Sequence, residues 1–332
     1  MKVLKTEYLS SPTQEVHSSC ILFHEGHRLI VWFGGLQEGC LCNIYSKLDN
    51  HPTQKLIACP VPSNPQMMNS LWNPVLFSCN GSPALMYKSG AFCDRWQTRI
   101  CGLRIVEKGL ETTWKQDLAA GLHACVKSKP LALPDGTLVC GSSTETQNKW
   151  SAHVEIYLPK KEGLELLERS NPLEPEDSSR CKGIIQPTLW RDDDGTLHML
   201  CRSSYGYGSI FHSKTLSSPG KWTVPRETGI PNPNSAVDVL KHSNGKTYLA
   251  YNPSQRDRHP LALSEFEIDG DMVRIKKTAT LSTPLVYIRY LMARTRELSY
   301  PNVAEDSKGR IHISYTCCRA KIHAVSVRLS DP

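Results

Sequence analysis

The stretch Pro187-Thr-Leu-Trp-Arg-Asp-Asp-Asp-Gly195-Thr-Leu-His-Met-Leu-Cys201 reads as two apolar strands folded about a tight turn. Asp-Gly and Asn-Gly are hairpin signals because such turns need positive φ. Five further stretches repeat the pattern: Ser18–Trp32 around Gly26, Pro74–Tyr87 around Gly81, Pro130–Cys140 around Gly136, Ala236–Tyr251 around Gly245 and Pro301–Tyr315 around Gly309. Successive turn glycines are 55, 55, 59, 50 and 64 residues apart, and each interval has room for a four-stranded antiparallel blade with its loops. Six such units closed in a ring make an all-β, six-bladed β-propeller, which leaves no long exposed sheet edge. Val3–Leu9 is expected to complete the last blade as its outer strand. Nothing reads as a βαβ unit, so residues 1–332 are expected to form one propeller domain, with an insertion at 284–296 that lengthens the last period.

Composition agrees with a globular chain. Of the 332 residues 39% are hydrophobic, and the 21 Gly and 22 Pro follow no short period, which excludes a disordered or collagen-like protein. No apolar run approaches the ~20 residues that span a bilayer. The start, Met1-Lys-Val-Leu-Lys-Thr-Glu-Tyr, lacks the unbroken apolar segment of a signal peptide, so a soluble, cytoplasmic protein with no membrane span is expected. The 13 cysteines are an odd number and read as reduced, mostly buried thiols. Cys40/Cys42 and Cys317/Cys318 are close pairs, but no nearby His/Cys set completes a zinc site, and neither a metal nor a cofactor is expected. The net charge of +7 mildly favours anionic partners, yet the basic residues form no dense run, which argues against nucleic acid.

A propeller hairpin starts and ends on the same face of the ring. In five repeats a polar residue precedes or opens the first strand: His17, Asn73, Lys129, Gln186 and Tyr300, the last four directly followed by proline. Proline opens a strand without sacrificing a ladder donor and keeps its predecessor extended. The fifth repeat offers Asn234 or Asp238. The second strands return to Glu145, Arg202, Asn252 with Arg256 and Arg258, and Arg319. Polar residues at strand starts also satisfy turn backbone groups, and a single arginine reads as a surface charge. Their shared place in successive repeats makes them a candidate site at one end of the central channel. Trp96 and Trp150 read either as rim platforms for a sugar ring or as covers for blade hydrophobics.

The motifs His17-Ser-Ser, Trp32-Phe-Gly-Gly with Glu38-Gly, Trp72-Asn-Pro-Val-Leu-Phe, Lys129-Pro-Leu-Ala-Leu-Pro-Asp-Gly, Gln186-Pro-Thr-Leu, Arg258-His-Pro-Leu-Ala-Leu-Ser, Ser299-Tyr-Pro and Tyr315-Thr-Cys-Cys-Arg319 run through nearly the whole chain. Together they resemble the sialidase (neuraminidase) superfamily, in its divergent branch of sialidase-like proteins with BNR or Asp-box repeats. The Asp-boxes are degraded to remnants ending at Trp114 and Trp222. The resemblance implies a six-bladed propeller that cleaves a terminal acidic sugar from a glycan. Three arginines would clamp the sugar carboxylate, a glutamate-activated tyrosine would be the nucleophile, and an aspartate the acid/base. By position Tyr300 matches the nucleophile and Arg202 the second arginine, with Arg258 and Arg319 the remaining members of the clamp. Three departures stand out. The first-blade Arg-Ile-Pro motif is absent, with His17 near its place. Gln186 stands where the glutamate is expected, and no aspartate occupies the acid/base position after the first hairpin.

Three functions compete on these residues. The leading one is an exo-glycosidase of the sialidase type, with Tyr300 as nucleophile, Glu145 or Asp238 as general acid/base, and Arg202, Arg258 and Arg319 on the carboxylate. Asn73, Lys129, Gln186, Asn234 and Asn252 would complete the sugar site. The second is a uronate-directed polysaccharide lyase in which His17, Gln186, Arg202 and Tyr300 supply the base, the neutralisers and the acid. The third is a non-catalytic propeller that binds a glycan or a protein.

Overall fold

All six turn glycines adopt left-handed backbone, with φ of 80° at Gly26, 77° at Gly81, 87° at Gly136, 91° at Gly195, 83° at Gly245 and 67° at Gly309. Side chains close the longer turns: Asp135 Oδ1 accepts from Thr137 N at 3.0 Å, Asp194 Oδ1 from Thr196 N at 2.9 Å and Asn244 Oδ1 from Lys246 N at 3.0 Å. The computed structural model describes residues 1–9, 11–61, 69–177, 181–282 and 297–329. The insertion expected at 284–296 lies outside these residues.

Among the described residues the strands form six four-stranded antiparallel sheets, the blades of a six-bladed propeller. After β1 (Lys2–Leu9), the first blade is β2 (Glu15–His24), β3 (His27–Gly35), β4 (Asn43–Leu48) and β5 (Gln54–Ile57). The second is β6 (Leu71–Cys79), β7 (Ser82–Ser89), β8 (Gln97–Val106) and β9 (Gly109–Asp117). The third is β10 (Leu131–Ala132), β11 (Leu138–Glu145), β12 (Trp150–Lys160) and β13 (Gly163–Arg169), and the fourth β14 (Ile184–Arg191), β15 (Leu197–Ser203), β16 (Ser209–Lys214) and β17 (Arg226–Pro231). The fifth is β18 (Asp238–Lys241), β19 (Thr247–Tyr251), β20 (Leu261–Asp269) and β21 (Met272–Ser282). The sixth joins β22 (Leu298–Glu305), β23 (Ile311–Cys317) and β24 (Lys321–Arg328) to β1, which pairs antiparallel along β24. The N-terminal strand thus closes the ring, as its sequence led us to expect.

The inner strands differ from expectation in two respects, the place of the prolines and the backbone before them. Pro74, Pro187 and Pro301 do not open their strands; each is the fourth residue of β6, β14 and β22, inside a bulge where the pairing register skips. The residue before each proline is left-handed, with φ of 41° at Asn73, 56° at Gln186 and 53° at Tyr300. A bulge tolerates proline because the ladder is already broken there, and it re-aims the neighbouring side chain. In the first blade the matching left-handed residue is Ser18 (φ 52°), so His17 sits one position earlier than its expected place in the repeat. In the third blade it is Ala124 (φ 46°), and Lys129 lies five residues further along the strand path.

Polar side chains fill the channel below the bulges. Lys129 Nζ donates to Asn302 Oδ1 at 2.8 Å, Val303 O at 2.6 Å and Ile21 O at 3.3 Å, and Lys127 Nζ donates to Pro301 O and Val237 O. Asp238 accepts from Thr188 Oγ1 at 3.0 Å, Asn302 Nδ2 at 3.0 Å and Val303 N at 2.8 Å. These bonds link inner strands of different blades across the axis. Between blades the packing is tight: a Cβ on Gly141 would come within 2.5 Å of the Pro187 carbonyl oxygen. We expect Gly141→Ala to destabilise the protein by about 1–3 kcal/mol through overpacking alone, read as a lower urea midpoint at unchanged m-value.

Candidate functional site

The bulges bring the third residues of β14 and β22 together at one end of the channel. Gln186 Nε2 donates to the Tyr300 hydroxyl at 3.4 Å, and Arg202, near the end of β15, donates to the same oxygen from Nη1 at 2.7 Å. Arg202 Nη1 also donates to Gln186 Oε1 at 3.0 Å, and its Nε to Asn234 Oδ1 at 3.0 Å. The guanidinium lies 5.5 Å from the Trp150 ring centroid and 5.7 Å from that of Tyr300. Every donor of this forked group that is bonded here meets a side-chain oxygen, so the cation is fixed in direction as well as position.

Two further arginines meet beside Tyr300. Arg258 Nη1 pairs with Glu297 Oε1 at 2.9 Å, its Nη2 donates to Asn234 O at 2.8 Å, and its guanidinium lies 5.9 Å from the Tyr300 centroid. Arg319 Nε pairs with Glu297 Oε2 at 2.8 Å, and its Nη1 pairs with Glu38. Burial raises the cost of a charge on Glu297, but Arg319, Arg258 and the Ser299 hydroxyl outweigh it and hold the carboxyl at about 2.

His17 packs on Tyr300 from the first blade, ring centroids 4.1 Å apart. Burial first, and then the positive charges of Arg319, Arg258, Arg202 and Lys127, push its imidazole well below the ordinary histidine range, so it is neutral. Its Nδ1 bonds Thr316 Oγ1 at 3.0 Å, while its Nε2 is buried without a partner among the described residues. Glu145, at the end of β11, is likewise enclosed. Burial raises its pKa, Arg202 opposes the shift, and its Oε1 has no partner among the described residues.

The structure therefore gathers His17, Gln186, Arg202, Asn234, Arg258, Arg319 and Tyr300, with Glu145 beside Arg202. It does not gather the rest. Asp238 and Lys129 are bonded within the channel. Asn252 braces Pro260 O at 2.9 Å and Leu298 O at 2.8 Å, and Asn73 occupies the bulge of β6 without a hydrogen bond to the cluster. Trp96 covers Trp72, whereas Trp150 reaches the site. Glu297 and Thr316 were not anticipated; the one signal for Glu297 was a carboxylate three residues before Tyr300. At the opposite end, a cleft of about 490 Å³ between turns of the fourth and fifth blades has its lysines paired with neighbouring acids.

A family model described as a BNR repeat-like domain matches residues 26–313. The chain belongs to that family. Among solved structures, this BNR repeat-like chain is similar to a protein of unknown function from Dyadobacter fermentans (10% identity, 99% of each chain covered, TM-score 0.72). It is also similar to the NanB sialidase of Streptococcus pneumoniae (10% identity, 99% of this chain and 70% of that one, TM-score 0.70). A third is the Hadza microbial sialidase Hz136 (14% identity, 96% and 66% covered, TM-score 0.69). No curated protein matches the chain. At these identities the likeness concerns the sialidase-like fold, and no helix among the described residues is long and apolar enough to cross a membrane.

Because Glu297 is ionised in the fold far below the ordinary glutamate value, its contribution is complete above about pH 5 and is lost as pH falls toward 2. Glu297→Gln should cost about 1–3 kcal/mol near neutrality, where two half-buried arginines lose the carboxylate they share, and the difference from the parent should shrink steadily on acidification in urea titrations.

Proposed function

We propose that this protein is a glycosidase-type enzyme acting on a terminal acidic sugar, with Tyr300 as its reacting group. The observation that carries the reading is the 2.7 Å bond from Arg202 to the Tyr300 hydroxyl, with Arg258 and Arg319 drawn to the same spot by Glu297. Three guanidinium groups around one buried tyrosine suit a sugar carboxylate: the fork matches two carboxylate oxygens, and the cations are held in place in a site only partly open to solvent. An incoming carboxylate would compete with Glu297 for Arg258 and Arg319 and with Gln186 for Arg202.

In hydrolysis the Tyr300 oxygen attacks the anomeric carbon as the glycosidic bond breaks. The leaving oxygen takes a proton from Glu145, whose raised pKa suits a general acid, and water then releases the sugar. The phenol proton needs an acceptor, and among the described residues the hydroxyl bonds only the donors Arg202 and Gln186. Neutral His17, packed at a tilt against the ring with Nε2 unbonded among the described residues, is the base at hand.

That same observation favours a second reading. With an amide rather than a carboxylate at the phenol, a uronate could instead undergo elimination. Gln186 and Arg202 would neutralise its carboxylate, His17 would abstract the adjacent carbon-bound proton, and Tyr300 would protonate the leaving oxygen. Tyr300→Phe should abolish turnover on either path, and near-parental release from a fluorogenic sialoside would overturn the assignment. Released sugar without an ultraviolet-absorbing product marks hydrolysis; an unsaturated uronate marks elimination; glycan-array binding with neither marks a binding protein. Glu145→Gln should lower kcat by about 10²–10⁴-fold and remove the alkaline limb of its pH profile, because only the protonated carboxyl donates.

A further inference from the structure

Cys317 and Cys318 lie where β23 turns into β24, on the same end of the ring as Tyr300. Their sulfurs are 3.7 Å apart, and both residues are half-buried. Cys125 and Cys140 are also neighbours, but no solvent reaches them, and Cys42 is buried with its thiol on Gln37 O. The turn is closed by Ala320 N donating to Cys317 O at 3.1 Å, and its central residues are both left-handed, φ 53° at Cys318 and 57° at Arg319. Hairpins of this kind favour Asn-Gly, so Cys-Arg holds it under strain.

What holds it is the site. Cys318 N donates to Glu297 O at 2.6 Å, Arg319 Nε pairs with the Glu297 carboxylate at 2.8 Å, and Val16 N donates to Arg319 O at 2.7 Å. Closing the two sulfurs to ~2.05 Å requires rotation about the Cys318 backbone, because adjacent cysteines share a ring too small to absorb the change in side chains alone. We propose that Cys317 and Cys318 are a reversible thiol-oxidation site, closed to a disulfide by a peroxide, and that closure withdraws Arg319 from Glu297. The Cys318 thiolate attacks one peroxide oxygen, forming a sulfenic acid and releasing hydroxide. The Cys317 thiol then attacks that sulfur, and the sulfenic oxygen leaves as water. Two thiols and one hydrogen peroxide give one disulfide and two waters. The order follows from the pair: a hydrogen bond from Cys317 holds the Cys318 thiol below its ordinary value, and the same contact pushes Cys317 up.

Oxidation does not depend on the functional reading; only its effect on substrate rests on the carboxylate clamp, so the test uses no substrate. The full chain is treated with hydrogen peroxide, digested without reduction and mapped by mass, with backbone hydrogen exchange followed over residues 316–321. The expected result is loss of two hydrogens from the peptide carrying both cysteines, restored by dithiothreitol, and exchange about tenfold faster once the Cys318–Glu297 bond opens. Cys317→Ser and Cys318→Ser, made separately so that a folding defect in one leaves the other, should show neither change. An unchanged peptide, sulfinic or sulfonic acid instead of a disulfide, or a link between chains would overturn the site. A disulfide with unaltered exchange would overturn its connection to Arg319.

Discussion

A ring of sheets has to close, and here closure is made by contacts between the sixth blade and the first. β1 supplies the outer strand beside β24. On the inner side Asn302 Oδ1 accepts from Ile21 N at 3.0 Å, Ser19 bonds Ser314 at 3.0 Å, Ser18 N and His17 both reach Thr316 Oγ1, and Val16 N reaches Arg319 O. The candidate site is built on this seam. His17 is one side of it, Tyr300 and Arg319 are the other, and Glu38 of the first blade ties the two through Arg319. The bonds that keep the ring shut also fix the rings and cations that line the candidate site.

The second constraint is charge. His17, Arg202, Arg258 and Arg319 are crowded around one tyrosine, with Lys127 below them in the channel and Glu297 and Glu38 as the carboxylates directly paired to the arginines. Such crowding is tolerable only if one member is neutral and the others are bonded, and both conditions hold: the imidazole gives up its charge, and the guanidinium groups are held by Glu297, Glu38, Gln186 and Asn234. A surplus of bonded cations around a buried phenol is a state that an added carboxylate would relieve, which is the physical ground for the acidic-sugar proposal.

Much of the architecture was legible because its signals are local. A tight hairpin needs a left-handed residue, glycine supplies it, and six such glycines at near-regular spacing imply six hairpins. The expected outer strand at Val3–Leu9 likewise needed only an apolar segment left over by the repeat. The site was legible in part. Gln186, Arg202 and Tyr300 were named because repeats place equivalent residues on one face. Lys129 followed the same rule and fell elsewhere, because the third blade puts its left-handed residue at Ala124 and the lysine slides down the channel. Asp238 could not be told from a catalytic acid in sequence; three donors from two other blades occupy its oxygens. Glu297 had no repeat partner to reveal it.

The amino-acid sequence alone thus determined the number of blades, their hairpins and the end of the ring at which polar residues collect. Turn chemistry and strand alternation act over a few residues, so they are written locally. Tertiary structure decided the partners: that Arg258 and Arg319 share Glu297, that Gln186 faces a phenol 114 positions away, and that His17 is neutral. These depend on how six separate blades are rotated about a common axis, and on the burial that follows when the ring closes.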